Sequence, residues 1–334
     1  MNTIEFPGMG MGPFEINPVA IKNFLWTTRD IAWYGIFVTL GILCGIFYAF
    51  WRGQKNNGIK VDDMIDVAIF SIPAAIIGAR LYYVVFNLSA FPTLFSVIEI
   101  WNGGLAVYGG IIFGFATGLL VCRIKKLPIL KVFDSVAPAV MLGQIIGRWG
   151  NFTNAEVLGV KTGLPWGMSI NGAAAVHPIF LYESLWNLAG FAIINLIYKK
   201  KKFDGQIFLL YVIWYGFGRM LLEGIREKRD TLFLGEFRIS QIVGLLCFVL
   251  GTAALIALFM KYKNQKLENA EYEGVYASVK AKLPTGETDE EEKTEETEET
   301  EEPENKEEPE EEITEDKIEN ENNENNENNK NTEE

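Results

Sequence analysis

Seven stretches of apolar residues, each long enough to cross a lipid bilayer, are separated by polar segments along the first 262 residues. A transmembrane helix needs about 20 mostly apolar residues. The pattern therefore predicts an all-α, polytopic membrane protein with seven transmembrane helices. The stretches are Ile31–Trp51, Met64–Phe86, Gly104–Val121, Val132–Ile146, Pro178–Tyr198, Gln206–Leu222 and Ile239–Met260.

Lysine and arginine are unevenly distributed between the connecting segments. Basic residues follow the first, third, fifth and seventh apolar stretches, whereas Asn87–Trp101 contains neither Lys nor Arg. Because loops rich in Lys and Arg stay on the cytoplasmic side of a membrane, we expect the N-terminus outside and the C-terminus inside. The predicted organisation is an external, irregular lead-in over residues 1–30, a seven-helix membrane domain over 31–262 and a cytoplasmic tail over 263–334.

The net charge of −13 conceals two segments of opposite sign. Residues 284–334 hold 25 Asp and Glu against 4 Lys, so residues 1–283 carry a net charge of +8. An acidic segment with almost no apolar residues buries too little surface to offset the entropy that it would lose on ordering. The tail is therefore expected to be disordered from about residue 284.

The sequence does not indicate metal or disulfide chemistry. The three cysteines, Cys44, Cys122 and Cys247, lie within apolar stretches and lack the spacing of metal ligands. The single histidine, His177, cannot form a metal site alone. We therefore expect no cofactor, and no feature of the pattern indicates nucleic acid as a partner.

Residues Gly147–Glu156 follow the fourth apolar stretch and combine an arginine, two asparagines and a glutamate, with Gly159 just beyond. A charge at membrane depth costs about 3 kcal/mol on insertion scales and by default marks a functional site. The glycines favour a sharp turn of non-helical backbone that approaches a ligand closely. The alternative is an interfacial loop whose arginine, Arg148, extends toward water.

A second charged group lies at the end of the sixth apolar stretch. If the helix continues there, Arg219, Glu223 and Arg226 fall on one face. Such a ladder holds its own geometry and leaves a guanidinium for an anion, because the planar fork of arginine pairs two phosphate oxygens. A purely structural ion pair within the membrane is the alternative.

Further polar residues lie on the same predicted outer side. Arg80 is in the outer half of the second apolar stretch, and Tyr34 is near the start of the first, where an interfacial role is a common alternative. Two Gly-Gly pairs within Asn102–Gly110 indicate either close helix packing or a groove for a ligand. His177–Glu183 opens the fifth stretch, and its glutamate is placed to orient an arginine. The pattern favours a one-sided site open to the outer leaflet.

The segment Gly147–Glu156, followed by Gly159, resembles the signature of bacterial phosphatidylglycerol–prolipoprotein diacylglyceryl transferases. Four further segments match that family in the same order, namely Gly78–Arg80, Trp101–Gly110, His177–Glu183 and Arg219–Arg226. The resemblance covers about residues 20–262. It implies a multi-pass enzyme of the bacterial cytoplasmic membrane, with its active site facing the outer leaflet and the membrane domain as its catalytic domain.

By this resemblance, the enzyme moves a diacylglyceryl group from phosphatidylglycerol to the thiol of the lipobox cysteine in a prolipoprotein signal peptide. Glycerol phosphate is released, in the first step of bacterial lipoprotein maturation. The candidate catalytic residues are Arg148, Arg219, Tyr108, Tyr34, Asn151 and Glu156. The candidate contacts to phosphatidylglycerol are Arg148, Arg219, Arg80, Gly159, Glu223, Arg226 and His177.

Tyr108 departs from the family, many members of which carry a histidine at this point. A phenol with a pKa near about 10 is a weaker base at neutral pH than an imidazole with a pKa near about 6.5. The base that takes the proton of the substrate thiol therefore remains open. Tyr108, His177 and electrostatic activation by the arginines without a dedicated base are the alternatives.

Two other kinds of protein fit parts of the pattern. A polytopic protein that binds or transports phosphatidylglycerol without chemistry would share the arginines and the membrane domain. A structural membrane scaffold fits less well, because it has no need of arginines near membrane depth. Formation of a lipidated peptide distinguishes the enzyme from both.

Overall fold

The computed structural model describes residues 1–24, 30–91, 93–228 and 233–280. Within these residues, seven helices are long and apolar enough to cross a membrane. They are α1 Trp33–Asn57, α2 Val61–Phe86, α4 Val107–Ile124, α5 Ile129–Asn154, α6 Ile179–Tyr198, α7 Gln206–Gly224 and α8 Ile239–Lys280, with a short helix α3 Leu94–Ile98 between α2 and α4. All seven predicted transmembrane helices are confirmed, and the chain is a multi-pass membrane protein.

The chain divides into two units, residues 1–268 and 269–334. The first unit contains α1 to α7 and most of α8. The second unit is described only over residues 269–280, which form the last turns of α8. The acidic segment that was predicted to be disordered from about residue 284 lies outside the described residues.

Glycines allow the backbones of two pairs of helices to come into direct contact. In the α1–α5 pair, a Cβ atom at Gly41 would lie 3.0 Å from the carbonyl oxygen of Gly143. In the α2–α4 pair, a Cβ atom at Gly109 would lie 2.2 Å from the carbonyl oxygen of Gly78. Small residues let transmembrane helices approach closely enough for van der Waals contact along their backbones. At Gly109, the structure therefore supports the packing interpretation of the glycine pair.

The lead-in contains strands, which corrects the expectation of an irregular segment. Strands β1 Asn2–Phe6 and β2 Met11–Ile16 form an antiparallel hairpin, and β5 Ser169–Ile170 pairs with the other edge of β1. Pro13 is tolerated because β2 is an edge strand, where one row of N–H groups has no partner in the sheet. Two smaller sheets pair β3 Val19–Ile21 with β4 Ile31–Ala32 and β6 Phe233–Leu234 with β7 Phe237–Arg238.

The three-stranded sheet is attached to the start of α6 by apolar contacts. Ile4 of β1, Met168 and Phe180 of α6 form a cluster and are almost fully buried. Burial of each of these side chains contributes about 2 kcal/mol. The sheet therefore covers the end of the helices at which α5 finishes and α6 begins.

A buried polar cluster closes the opposite end of α5. The Lys201 ammonium donates to Asn57 Oδ1 at 2.7 Å and to Asp134 Oδ2 at 3.1 Å. Asp134 also accepts from the backbone N–H groups of Gly205 at 2.9 Å and Phe208 at 3.0 Å, at the start of α7. A carboxylate that accepts from the first N–H groups of a helix caps that helix and complements its dipole. Asp134 of α5 therefore fixes the start of α7.

Replacing Asp134 should destabilise the membrane domain. Asp134→Leu leaves the Lys201 ammonium without its buried partner and the start of α7 without its cap, a loss of about 3 kcal/mol. Asp134→Asn keeps an acceptor for α7 and should lose less. The measurement is the thermal midpoint of the purified protein in detergent, and equal midpoints for both variants would contradict the capping role.

Candidate active site

The signature segment is helical, which corrects the expectation of a sharp turn at its glycines. Helix α5 continues to Asn154, and the chain leaves it at Ala155 in the left-handed conformation, with a φ of 52°. A helix satisfies the backbone polar groups internally, which a membrane environment requires. Gly150 serves packing instead, because a Cβ atom there would lie 2.9 Å from the Tyr34 ring. The last turns of α5 therefore form a fixed base for Arg148.

Glu183 joins two arginines from neighbouring helices. Its Oε2 lies 2.5 Å from Arg148 Nε of α5, and its Oε1 accepts from Arg219 Nη1 of α7 at 3.0 Å. The glutamate is only 6% exposed. A buried charge is tolerated when it is paired and hydrogen-bonded. Glu183 therefore orients both guanidiniums, whereas its position in the first turn of the fifth stretch led us to expect one partner arginine.

Glu223 extends the network to a third arginine. Arg219 Nη2 lies 2.9 Å and Arg226 Nη1 lies 3.7 Å from Glu223 Oε2. Because α7 ends at Gly224, Arg226 reaches the network from the following turn, where it pairs with Gly159 as an isolated β-bridge. The contacts predicted between Arg219, Glu223 and Arg226 are therefore present, although the helix that was expected to carry all three residues ends before Arg226. Burial and then the charge of Arg219 lower the pKa of the Arg226 guanidinium.

The three guanidiniums share two buried carboxylates, which leaves a surplus of one positive charge. A small cleft beside this network is lined by Arg148, Glu183, Trp186, Asn187, Tyr215, Gly218, Arg219 and Leu222. Guanidiniums held in fixed positions suit a phosphate group, because each offers parallel N–H donors to two oxygens. No group of three potential metal ligands occurs among the described residues. The arrangement is suited to binding a lipid phosphate.

Asn151, Glu156 and Tyr34 lie together beside Arg148. Asn151 Nδ2 donates to Glu156 Oε1 at 2.9 Å, and Arg148 Nη1 donates to Asn151 Oδ1 at 3.4 Å. Tyr34 interacts electrostatically with both Glu156 and Arg148. The structure therefore brings these candidate residues to one end of α5, and their catalytic roles stay predictions.

Tyr108 approaches the network from another side. Its hydroxyl lies 3.3 Å from Ser240 Oγ, at the start of α8, and interacts electrostatically with Arg219. Tyr108 lies in the first turn of α4, so this contact brings a further helix to the arginine. The residue that stands in place of the family histidine is therefore near the charge that would bind phosphate.

Gly159 and His177 position the loop that carries Arg226. The Gly159 N–H donates to the His177 carbonyl at 3.1 Å, and a Cβ atom at Gly159 would lie 2.5 Å from His177 Cβ. The His177 ring contacts the Tyr182 hydroxyl through Nδ1 at 3.2 Å, and that hydroxyl accepts from Trp166 Nε1 at 2.7 Å. Gly159 is therefore required by close backbone packing, and the imidazole is engaged with Tyr182.

Arg80 is not brought to the arginine network. Its guanidinium donates to the backbone carbonyl oxygens of Ser96, Val97, Glu99, Gly103 and Gly104. It also lies 4.8 Å from the centre of the Phe91 ring. These contacts fix the segment between α2 and α4, and they give no support to the predicted contact with phosphatidylglycerol.

Three polar residues that sequence reasoning missed lie one helical turn deeper. Gln144, Asn187 and Tyr215 are each four residues from a member of the charged network, on α5, α6 and α7. Gln144 Nε2 donates to the Tyr211 hydroxyl at 3.1 Å, and both Asn187 and Tyr215 line the cleft. Because residues four apart share a helix face, this spacing was the signal that could have found them.

Comparison with known proteins agrees with this geometry. A profile of prolipoprotein diacylglyceryl transferases matches residues 21–257, which include every residue of the arginine network. The chain belongs to the prolipoprotein diacylglyceryl transferase family. The acidic tail lies beyond the matched residues.

Individual members of the diacylglyceryl transferase family are similar along most of the chain. Phosphatidylglycerol–prolipoprotein diacylglyceryl transferase of Finegoldia magna is 42% identical over 244 residues, or 72% of this chain and 95% of the relative. The protein of that name from Clostridioides difficile is 42% identical over 236 residues, or 70% of this chain and 94% of the relative. That from Ligilactobacillus salivarius is 38% identical over 266 residues, or 75% and 96%.

Arg148→Lys should lower transferase activity by about 100-fold or more, the usual loss when a donor to a developing charge is removed. Lysine keeps the positive charge, but it lacks the fork that contacts Glu183 and Asn151 together. Turnover of a lipobox peptide by purified protein is the measurement. Arg123→Lys, at the far end of α4, is the matched control and should remain active. Near-normal turnover of Arg148→Lys would show that Arg148 is only an interfacial residue.

Proposed function

We propose that this chain transfers the diacylglyceryl group of phosphatidylglycerol to the thiol of the lipobox cysteine of prolipoproteins and releases glycerol phosphate. Family membership and the names of the relatives give the reaction class. The observation that carries the proposal is the pair of guanidiniums, Arg148 and Arg219, held by one buried carboxylate. Such a pair can bind the phosphodiester before the reaction and the glycerol phosphate that leaves.

The chemistry is a displacement at carbon. The cysteine sulfur forms a bond to the terminal glycerol carbon of the diacylglyceryl group, and the bond from that carbon to the phosphate oxygen breaks. The electron pair of the broken bond leaves on glycerol phosphate, where negative charge increases. Donors fixed before the reaction, as Arg148 and Arg219 are, stabilise that increase without reorganisation.

The thiol proton needs an acceptor, and the released phosphate monoester is one. A cysteine thiol with a pKa near about 8.5 is already a few per cent thiolate at neutral pH, and neighbouring arginines raise that fraction. Tyr108 interacts electrostatically with Arg219, and a phenol there would help to orient the phosphate. We infer that electrostatic activation replaces a dedicated base in this chain.

The site is proposed to open to the outer leaflet of the bacterial cytoplasmic membrane. The distribution of basic loops supports this orientation. With Ser89→Cys, before α3, an impermeant thiol reagent should label intact cells above the background of the parent chain. Lys266→Cys, in α8, should be labelled only after the cells are opened. Labelling of Lys266→Cys from outside would reverse the orientation.

A direct assay tests the proposed reaction. Purified full-length protein is incubated with phosphatidylglycerol and a lipobox peptide, and the expected products are thioether-linked lipidated peptide and free glycerol phosphate. A protein that binds or transports phosphatidylglycerol without chemistry would yield neither. Release of glycerol phosphate without lipidated peptide would indicate hydrolysis and would also contradict the proposal.

Tyr108→Phe should reduce turnover by about tenfold or less, which corresponds to about 1.4 kcal/mol of barrier. The reason is that the hydroxyl contributes orientation, whereas the arginines contribute the electrostatic activation. The same lipidation assay gives the rate, and Arg219→Lys serves as the intolerant comparison. A Tyr108→Phe protein that binds phosphatidylglycerol but does not turn over would identify Tyr108 as the base.

A further inference from the structure

Asn187 presents an unsatisfied acceptor at the cleft. Its side chain is 4% exposed, and its Oδ1 atom is buried without a hydrogen-bond partner. The residue lines the cleft together with Arg148 and Arg219. Leaving a buried polar group unpaired costs about 1–3 kcal/mol, and because this acceptor belongs to a residue that lines the cleft, a donor on a bound ligand can satisfy it.

The backbone beside Asn187 is fixed by a reciprocal tryptophan pair. Trp186 Nε1 donates to the Trp214 carbonyl at 3.2 Å, and Trp214 Nε1 donates to the Trp186 carbonyl at 3.0 Å. The two indole rings stack with centroids 4.6 Å apart. Gly218 leaves room for this arrangement, because a Cβ atom there would lie 2.1 Å from Trp186 Nε1. The position of Asn187 is therefore rigid before substrate binds.

Asn187 lies deeper in the helix bundle than the arginines, and this position limits which hydrogen-bond donors of the substrates can reach it. Glu183, which holds both guanidiniums, is one helical turn closer to the end of α6 than Asn187. A phosphate on the guanidiniums therefore places the reacting carbon and the acyl esters on the Asn187 side. Phosphate and ester oxygens accept hydrogen bonds but donate none, and the hydroxyl groups of the glycerol head group lie beyond the phosphate.

We propose that Asn187 Oδ1 accepts a hydrogen bond from the side chain of the lipobox cysteine and directs its sulfur at the reacting carbon. This role rests on the proposed function. Displacement at carbon requires the nucleophile to approach opposite the leaving group, and Asn187 lines the same cleft as Arg148 and Arg219, one helical turn deeper along α6 than the Glu183 carboxylate that holds them. The amide orients the thiol and does not take its proton. The thiol loses that proton to water, the sulfur bonds to carbon, the carbon–oxygen bond breaks with its electron pair going to glycerol phosphate, and the released phosphate monoester takes up a proton from water.

The test compares two unreactive peptides that replace the lipobox cysteine with serine or with alanine. Serine keeps a side-chain donor, whereas alanine has none. Both peptides are measured as competitive inhibitors of the full-length wild-type enzyme in phosphatidylglycerol micelles. The serine peptide should bind about fivefold more tightly than the alanine peptide, because one ordinary hydrogen bond contributes about that factor. In Asn187→Leu this difference should disappear, because leucine offers no acceptor.

Gln144→Leu is the matched control. It removes a second, partly buried amide one helical turn from the charged network, whose buried Oε1 is also unpaired but which does not line the cleft. This variant should keep the fivefold preference for serine even if its thermal midpoint falls. If Asn187 had a purely structural role, Asn187→Leu would weaken the binding of the serine and alanine peptides equally. Comparing both peptides on both the wild-type enzyme and the variant therefore isolates the contact between Asn187 and the peptide side chain.

The possible results separate the two proposals. If wild-type enzyme lipidates a cysteine peptide but binds the serine and alanine peptides equally, the role of Asn187 is wrong and the proposed function stands. Retention of the serine preference in Asn187→Leu also overturns the role. Failure of the wild-type enzyme to lipidate any cysteine peptide overturns the function itself.

Discussion

The shared carboxylate of Glu183 is the interaction on which the site depends. It contacts the guanidiniums of Arg148 and Arg219 from two different helices within an apolar bundle. Without it, two like charges would face each other where little water is present to screen them, and both would lose their fixed directions. With it, α5, α6 and α7 are joined by charge at one end, while Asp134 joins α5 to α7 at the other.

Much of the fold could be predicted from sequence because the relevant signals are local. About 20 consecutive apolar residues specify a membrane helix, and all seven such stretches are helices. The expectation of an irregular lead-in was wrong, because residues 2–6 and 11–16 form strands and Pro13 occupies an edge strand. The signature glycines were also misread, because Gly150 permits contact with Tyr34 rather than a bend.

Within the site, the sequence indicated the residue types and the partners on one helix, but not which residues of different helices meet. The contact between Arg219 and Glu223 follows from their spacing on one helix, and the structure contains it. The contact of Arg148 with Glu183 joins different helices, so no spacing rule reveals it. Arg80 illustrates the reverse case, since an arginine near membrane depth instead donates to carbonyl groups of a nearby segment. Asn187 was missed because one amide in an apolar stretch carries no motif.

The reciprocal tryptophan pair limits how the two helices that carry it can move. The indole N–H of each tryptophan donates to the backbone carbonyl of the other, so one hydrogen bond runs from α6 to α7 and the second runs from α7 to α6. A slide of one helix along the other by a single residue rise, about 1.5 Å, breaks both bonds at once. Shear motion is therefore suppressed between α6 and α7. An opening that admits phosphatidylglycerol and a prolipoprotein peptide is therefore expected to come from helices other than α6 and α7, which this pair holds in one fixed register.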